Sequence, residues 1–311
     1  METFRWIREK TAEYDLANSG VAKLDVFSNG DAPPLEEVLA ELYGVSKQEL
    51  VLIAGAQEGV FLSFLALKPS YVVTVVPEYE PITKLPQYFG VRQIQVANVW
   101  DAPLGQGGLI LFSNPNNPTG RFLGRKELAE LADEARRRGA YLVVDIIFSD
   151  FVTDDVRDLP LEGVVYAHST DKFYTSDIRV GWAFGDRKIV EKIRYLKDLA
   201  NPGPRDFEKR AAARLVSRRA EVKKRNLSII RPNAEALLAA FPNAVYKPDM
   251  PVALVPTKCD DVKLAERLLA RGVKTVPGRF FQAPYSIRVG LGVEEPGRFR
   301  KALGILAESW C

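Results

Sequence analysis

The strongest constraint on the fold is an alternation of short β-branched runs with amphipathic stretches through the middle of the chain. Strands that alternate with helices build a largely parallel sheet covered by helices, which is the α/β class. We therefore predict an α/β domain. Its predicted strands are residues 71–76, 108–112, 141–145, 164–168 and 180–184.

The connection between the second and third of these strands has the pattern of a helix. Leu128, Leu131, Ala132 and Ala135 are spaced at i, i+3, i+4 and i+7 among charged neighbours. This spacing predicts a helix that packs one face on the sheet, and Gly139 is predicted to end it.

The chain has 311 residues, a length that suggests roughly two domains. Pro and Gly interrupt the pattern at residues 201–205, and we place a domain boundary there. A smaller α/β domain is predicted beyond it, with strands at 252–255, 274–276 and 286–289 and a helix near 262–270 that ends at Gly272. The predicted division is an N-terminal segment (1–35) that packs on the small domain, a large domain (36–204), and a linking helix with the small C-terminal domain (205–311).

Composition excludes several classes of protein. Hydrophobic residues make up 47% of the chain and the net charge is only +3, which argues against disorder. His168 is the only histidine, so a multi-histidine metal site is excluded and no metal is expected.

The two cysteines, Cys259 and Cys311, have the spacing of neither a metal knuckle nor a disulfide framework, which indicates a reducing compartment. No apolar run approaches the roughly 20 residues of a membrane-spanning helix, and residues 1–10 mix acids and bases. We therefore expect a cytoplasmic protein with no membrane partner. The scarcity of Met and Cys beside many charged residues is compatible with a thermophilic source.

Residues 205–225 carry nine basic and three acidic side chains. They form either a surface for nucleic acid or anionic lipid, or a solvated helix with Ala211, Leu215 and Val222 facing inward. No aromatic residues interleave with the bases in a stacking array, so the second interpretation is favoured and no nucleic-acid partner is expected.

The most informative motif is SNPNNPTG at residues 113–120, which follows a predicted strand. Ligands of open α/β sheets bind at the carboxyl ends of strands. Asn117 precedes Pro118 and can occupy a cis-compatible turn, although a stretch rich in Pro and Asn is by itself an ordinary turn. Asp145 ends the next strand, where it either caps a turn or needs a cationic partner such as a protonated ring nitrogen.

A lysine lies just past the end of another predicted strand. Lys172 can form a Schiff base with an aldehyde there and later move a proton, while Arg179 and the Ser169 hydroxyl can hold a phosphate dianion. A single lysine is most often a surface charge, so only the combination distinguishes Lys172.

Two weaker features lie upstream. Gly55, Ala56 and Gln57 begin a loop that turns into an apolar run, where backbone N–H groups bind phosphate or small residues serve close packing. Tyr79 follows the strand 71–76, where it either stacks on a planar cofactor or packs as an ordinary tyrosine.

Together these residues resemble the class I and II aminotransferases, fold type I enzymes that use pyridoxal 5′-phosphate. The resemblance runs from about residue 51 to 292, and its best pieces are NPNNPTG and the segment 169–181. It implies an aspartate aminotransferase-like fold: a three-layer α/β/α large domain with a mostly parallel sheet, plus a smaller α/β domain.

The resemblance also implies roles for individual residues. Lys172 would form the Schiff base with the cofactor, Asp145 would pair with the pyridine nitrogen, Asn117 would bond the ring hydroxyl, and Tyr79 would stack on the ring. Arg288 would clamp the substrate α-carboxylate, beside Asn117. The phosphate would lie among Gly55, Ala56, Gln57, Ser169 and Arg179.

The implied activity is transfer of an amino group between an amino acid and a 2-oxo acid, in a homodimer. Two alternatives stay open. The same residues can support a pyridoxal-phosphate-dependent lyase or decarboxylase, and the chain can be a non-catalytic descendant that acts as a binding module.

The chain departs from the family pattern at several positions. Phe148 replaces a tyrosine, Asp171 replaces a serine before the lysine, and the spacing from Lys172 to Arg179 is one residue shorter. Asp171 would either repel the phosphate or point away from it and pair with an arginine. The N-terminal region is compressed around residues 29–35, so a contact with the partner subunit's phosphate is predicted to be missing.

Overall fold

The computed structural model describes residues 2–22 and 32–311, where helices and strands alternate as the sequence predicts. The helices are α1 Glu2–Glu9, α2 Leu35–Tyr43, α3 Ala56–Leu67, α4 Glu80–Tyr88, α5 Arg125–Arg137, α6 Ser149–Val152, α7 Arg187–Ala200, α8 Asp206–Ser217, α9 Arg219–Ala240, α10 Asp261–Ala270 and α11 Pro296–Ser309. The strands are β1 Tyr14–Asp15, β2 Leu50–Ile53, β3 Tyr71–Val75, β4 Arg92–Val96, β5 Gly108–Ser113, β6 Tyr141–Asp145, β7 Val164–Ser169, β8 Gly181–Gly185, β9 Val252–Pro256, β10 Val273–Lys274, β11 Val276–Pro277 and β12 Ser286–Gly290.

A seven-stranded sheet of order β2-β8-β7-β6-β5-β3-β4 forms the centre of the larger part of the chain. All neighbouring pairs are parallel except those made by β8, which is antiparallel to both β2 and β7. The five predicted strands are present with ends shifted by one residue at most. The sequence analysis missed β2 and β4, which are the two edge strands. β2 has only four residues, and β4 is polar and partly exposed, so neither gives a clear pattern.

The predicted helix between β5 and β6 is α5. Its four apolar residues are buried, and Gly139 follows the helix with a positive φ of 73°. A left-handed conformation suits glycine, so the residue ends the helix as predicted.

The C-terminal part contains a three-stranded antiparallel sheet, β11-β12-β9, and a parallel pair, β1-β10. The prediction of one strand over 274–276 is wrong, because β10 and β11 belong to different sheets. Thr275 lies between them, and its carbonyl accepts a hydrogen bond from the Trp6 indole at 2.7 Å. The N-terminal segment therefore contacts the C-terminal part through α1 and β1, and the domain boundaries themselves stay a prediction.

The basic segment forms two helices, α8 and α9, which meet at Arg218. The single helix of the prediction is therefore wrong. Ala211 and Val222 are buried and Leu215 is half-buried, so the expected inward face is present. Arg219 contacts Asp150 at 2.8 Å, and this ion pair joins α9 to α6.

The two cysteines are bonded to each other, which corrects the interpretation of their spacing. Cys259 lies before α10 and Cys311 follows α11; their Cα atoms are 6.0 Å apart. The two cysteines are 52 positions apart in the chain and meet because α10 packs against α11, so no local sequence motif predicts the bond. The cysteine argument for a reducing compartment is thereby lost. None of the described helices has the length and apolarity needed to cross a bilayer.

Candidate active site

A cavity of about 280 Å³ lies at the carboxyl ends of β5, β6 and β7 and extends to β12. Because these strands end at one edge of the sheet, residues distant in sequence meet there. All the site residues predicted from the sequence line this cavity. They are Gly55, Ala56, Gln57, Tyr79, Asn117, Asp145, Ser169, Lys172, Arg179 and Arg288.

Asp145 is the last residue of β6 and only 4% exposed. Burial raises the pKa of its carboxyl to about 6, although the Ile147 N–H and the charge of Lys172 favour the ionised form. The Ile147 N–H donates to Oδ1 at 3.0 Å. A buried carboxylate with so little compensation is a good partner for a cation in the cavity.

Arg288 lies on β12 and is 1% exposed. Its Nη1 donates to Asn117 Oδ1 at 3.2 Å and its Nη2 to the Ala17 carbonyl at 2.6 Å, while its buried Nε has no acceptor. No carboxylate of a described residue lies within ion-pair distance of it. Burial lowers the pKa of the guanidinium to about 10, so the group stays cationic at neutral pH. The cavity therefore holds a buried cation that lacks an anion.

Asn117 is held in place by the loop that follows β5. Its backbone N–H donates to Ser113 Oγ at 3.0 Å, and the Asn117–Pro118 bond is cis, as the sequence allows. The side-chain oxygen is thus directed at Arg288 by the backbone of this loop.

Glu78 is a buried carboxyl beside the cavity that the sequence analysis missed. It accepts hydrogen bonds from the Ser113 N–H (2.8 Å), the Ser113 hydroxyl (2.5 Å) and the Tyr79 N–H (2.6 Å). Burial raises its pKa to about 8, against the effect of these donors. Glu78 thereby ties Tyr79 to the loop that carries Asn117. The pattern PEYEP at 77–81, with an acid on each side of the tyrosine, was the available signal.

A backbone contact shapes one end of the cavity. Gly55 precedes α3 with a φ of 123°, and a Cβ on Gly181 would lie 2.5 Å from the Gly55 Cα. The first N–H groups of a helix have no partners within the helix and attract anions. Arg179 Nη2 lies 3.7 Å from the position that a Cβ on Gly55 would occupy. Ser169 is the last residue of β7, the strand next to β8.

Asp171 pairs with both cations near this end. One carboxylate oxygen is 2.5 Å from Lys172 Nζ, and the other is 3.6 Å from Arg179 Nη1. The expected pairing of Asp171 with an arginine is therefore observed, with Lys172 as an additional partner, but Asp171 lines the cavity and does not point away from it. Phe148 is buried and lines the cavity, so no hydroxyl is present at that position.

The N-terminal segment covers part of the cavity, which the sequence did not reveal. Thr3 and Ile7 of α1 line it, together with Asn18 and Ser19. The Glu80 carboxylate accepts hydrogen bonds from the N–H groups of Glu2 (2.8 Å) and Thr3 (2.9 Å), which fixes the start of α1. The compressed stretch around residues 29–30 lies outside the described residues.

The family model for aminotransferases of class I and II matches residues 7–298. The chain belongs to this family. An aspartate aminotransferase of Thermococcus kodakarensis is 29% identical over 281 residues, which cover 85% of this chain and 75% of that protein. A histidinol-phosphate aminotransferase of Chromohalobacter salexigens is 27% identical over 60% of this chain and 56% of its own length.

Among solved structures, a pyridoxal-phosphate-dependent aminotransferase from Streptococcus suis superposes with a TM-score of 0.86. It is 22% identical and the match covers 99% of this chain and 96% of that one. The predicted fold, the aminotransferase class and the cofactor of the family are thereby confirmed.

The residues of this aminotransferase fit pyridoxal 5′-phosphate. Asp145 offers a buried carboxylate for the ring nitrogen, and Lys172 offers an amine for the aldehyde. The start of α3, Ser169 and Arg179 offer hydrogen-bond donors and charge for the phosphate.

Proposed function

We propose that the cavity is the active site of the aminotransferase and that Lys172 is its catalytic amine. One observation carries this proposal: a buried arginine without an anionic partner, Arg288, lines the same cavity as Lys172. An amino acid substrate has a carboxylate that Arg288 would bind and an amine that would take the place of the Lys172 amine.

Each residue has a distinct task. When bound, pyridoxal phosphate supplies an aldehyde carbon that takes up amino groups and a ring that accepts electrons. Asp145 would hold a proton on the ring nitrogen, the Asn117 amide would bond the ring hydroxyl, and Tyr79 would lie against the ring. Ser169 and Arg179 would hold the phosphate. Lys172 would take the α-proton from the substrate and act as the acid that gives a proton back.

Arg288 orients the substrate. A guanidinium binds a carboxylate through two parallel hydrogen bonds, which fixes the direction of the α-carbon. The contact from Nη1 to Asn117 Oδ1 ties this clamp to the loop that positions the ring. Such orientation contributes several kcal/mol to catalysis in enzymes of many kinds.

We propose a substrate with a small, neutral side chain. Among the described residues that line the cavity, the cations are Lys172, Arg179 and Arg288, and each has a task above. Thr3, Ile7 and Asn18 are uncharged and line the part beneath α1. A second substrate carboxylate would therefore lack a cation from this chain.

We propose further that the protein is a homodimer. Phe61 in the middle of α3 forms an exposed aromatic cluster with Tyr88 and Phe89 at the end of α4, and Tyr88 is 85% exposed. Exposed apolar clusters of this kind commonly mark interfaces between subunits. Light scattering of the purified protein tests the dimer.

The activity is tested on the protein incubated with pyridoxal phosphate. We expect a yellow chromophore that borohydride reduces, with the label mapped to Lys172, and amino transfer from alanine or serine to a 2-oxo acid. Lys172→Ala should lose turnover and labelling while keeping its circular dichroism. Release of carbon dioxide or ammonia in place of amino transfer would favour a decarboxylase or lyase, and an absence of chromophore would favour a binding module.

A further inference from the structure

An acidic side chain lies between the two cations at the phosphate end of the cavity. Asp171 Oδ2 is 2.5 Å from Lys172 Nζ, and its Oδ1 is 3.6 Å from Arg179 Nη1. The backbone N–H of Asp171 donates to Ser169 Oγ at 3.3 Å. Asp171 thus contacts three side chains that fit the aldehyde and the phosphate of the cofactor, namely Lys172, Arg179 and Ser169.

The Asp171 carboxylate is an anion under ordinary conditions. Burial opposes its ionisation, but the charges of Lys172 and Arg179 outweigh burial and hold the pKa of the carboxyl below its usual range. Its side chain is 23% exposed, so water screens it only in part. A phosphate dianion that approaches Arg179 is therefore repelled by the Asp171 carboxylate, which is already paired with that arginine.

We propose that Asp171 is a built-in competitor for the phosphate of the cofactor. When no phosphate is present, its carboxylate pairs with Arg179 and Lys172, and a phosphate must break the pair between Asp171 and Arg179 in order to bind. The affinity of the site for phosphate is therefore lower than its hydrogen-bond donors and cations alone would give. This inference rests on the proposed function, since that function places the phosphate beside Arg179.

The test compares two ligands that differ only in the phosphate. Pyridoxal phosphate and pyridoxal are titrated into cofactor-free wild type, Asp171→Asn and Asp171→Ser, with binding followed by visible absorption. We expect the Kd of pyridoxal phosphate to fall about three- to fivefold in both variants, the effect of removing one partly screened charge. The Kd of pyridoxal should change by less than about twofold on the same grounds.

A matched control removes an aspartate elsewhere. Asp198→Asn changes the net charge equally, and Asp198 is an exposed residue of α7 that pairs with Lys197. It is not among the residues that line the cavity. Neither ligand should bind differently to this variant. Circular dichroism and thermal midpoints establish that each protein is folded, and Asp171→Ser serves if Asp171→Asn is not.

The outcomes separate this inference from the proposed function. An unchanged or weaker affinity for pyridoxal phosphate in the Asp171 variants would overturn the inference, and so would an equal gain for both ligands, because Asp171 would then act only on Lys172. Failure of borohydride to label Lys172 in wild type would instead remove the proposed function. In that case calorimetry with inorganic phosphate decides: an increase in phosphate affinity of about three- to fivefold in Asp171→Asn supports competition, and no increase refutes it.

Discussion

Arg288 Nη1 lies 3.2 Å from Asn117 Oδ1, although 171 positions separate the two residues in the chain. The contact joins β12 in the C-terminal part to the loop after β5 of the large sheet. The substrate clamp and the ring-binding loop of the proposed site therefore form one hydrogen-bonded unit. A movement of the C-terminal part relative to the large sheet would therefore change the positions of both Arg288 and the loop.

The first prediction concerns the charge of Arg288. Arg288→Gln removes a cation that is buried without a carboxylate partner among the described residues, so kcat/KM for an amino acid should fall by about 100-fold or more, as for loss of a charged hydrogen bond. Activity toward the corresponding amine without a carboxylate should fall far less. Steady-state kinetics on both substrates measure the difference. Arg231→Gln is the control, because Arg231 is an exposed cation that pairs with Asp249 away from the cavity. An equal loss for acid and amine would contradict the assignment.

The second prediction concerns the pH dependence of stability without cofactor. Burial raises the Asp145 pKa to about 6, so the folded protein loses this proton at a higher pH than the unfolded chain does. The stabilisation from the bound proton is complete below about pH 4 and is lost as the pH rises to about 6. Asp145→Asn should therefore gain about 3 kcal/mol relative to wild type between pH 4 and 7.

Urea unfolding of both proteins at several pH values measures this difference. Asp198→Asn should show the wild-type pH profile, since the Asp198 side chain is exposed. A difference between Asp145→Asn and wild type that stays constant from pH 4 to 7 would show that Asp145 ionises normally in the folded protein.

The third prediction concerns the helix that covers the cavity. Glu80 is 3% exposed and accepts two N–H groups at the start of α1, so Glu80→Gln loses a charged acceptor and about 1–2 kcal/mol. Hydrogen exchange of residues 2–9 should become faster, and KM should rise because Thr3 and Ile7 line the cavity. Glu37→Gln, at an exposed pair with Lys47, is the control. Unchanged exchange in α1 would mean that other contacts hold the helix.

The fourth prediction concerns the close approach of two backbones. A Cβ at Gly181 would lie 2.5 Å from the Gly55 Cα, so Gly181→Ala must push β8 away from the start of α3. We expect a loss of about 1–3 kcal/mol in stability, together with weaker binding of pyridoxal phosphate. Gly304→Ala is the matched control, because nothing lies within 4 Å of its Cβ position in α11. Gly304→Ala should leave the free energy of unfolding unchanged or raise it by up to about 1 kcal/mol. Equal melting temperatures for the two variants would refute the close contact.

Much of the site could be predicted from the sequence because its residues follow strands with clear patterns. Asp145 ends β6, and Lys172 follows β7 by three residues. The carboxyl ends of adjacent parallel strands share one edge of the sheet, so strand order along the chain is sufficient to bring these side chains together. The motif around Asn117 and the family resemblance added Arg288, which no local pattern connects to the rest.

Only the tertiary structure determined the contacts between groups that are far apart in the sequence, because such contacts leave no periodic pattern. Glu80 binds the start of α1, Cys259 is bonded to Cys311, and the strand predicted over 274–276 divides between two sheets. The partners of Asp171 belong to the same class, since the sequence left open whether it repels phosphate or pairs with arginine. Hydrophobic periodicity reports which face of an element is buried, whereas a hydrogen bond or ion pair depends on where the elements meet. The sequence alone therefore determined the class of fold and the chemistry of the cavity, and packing determined which charges are paired inside it.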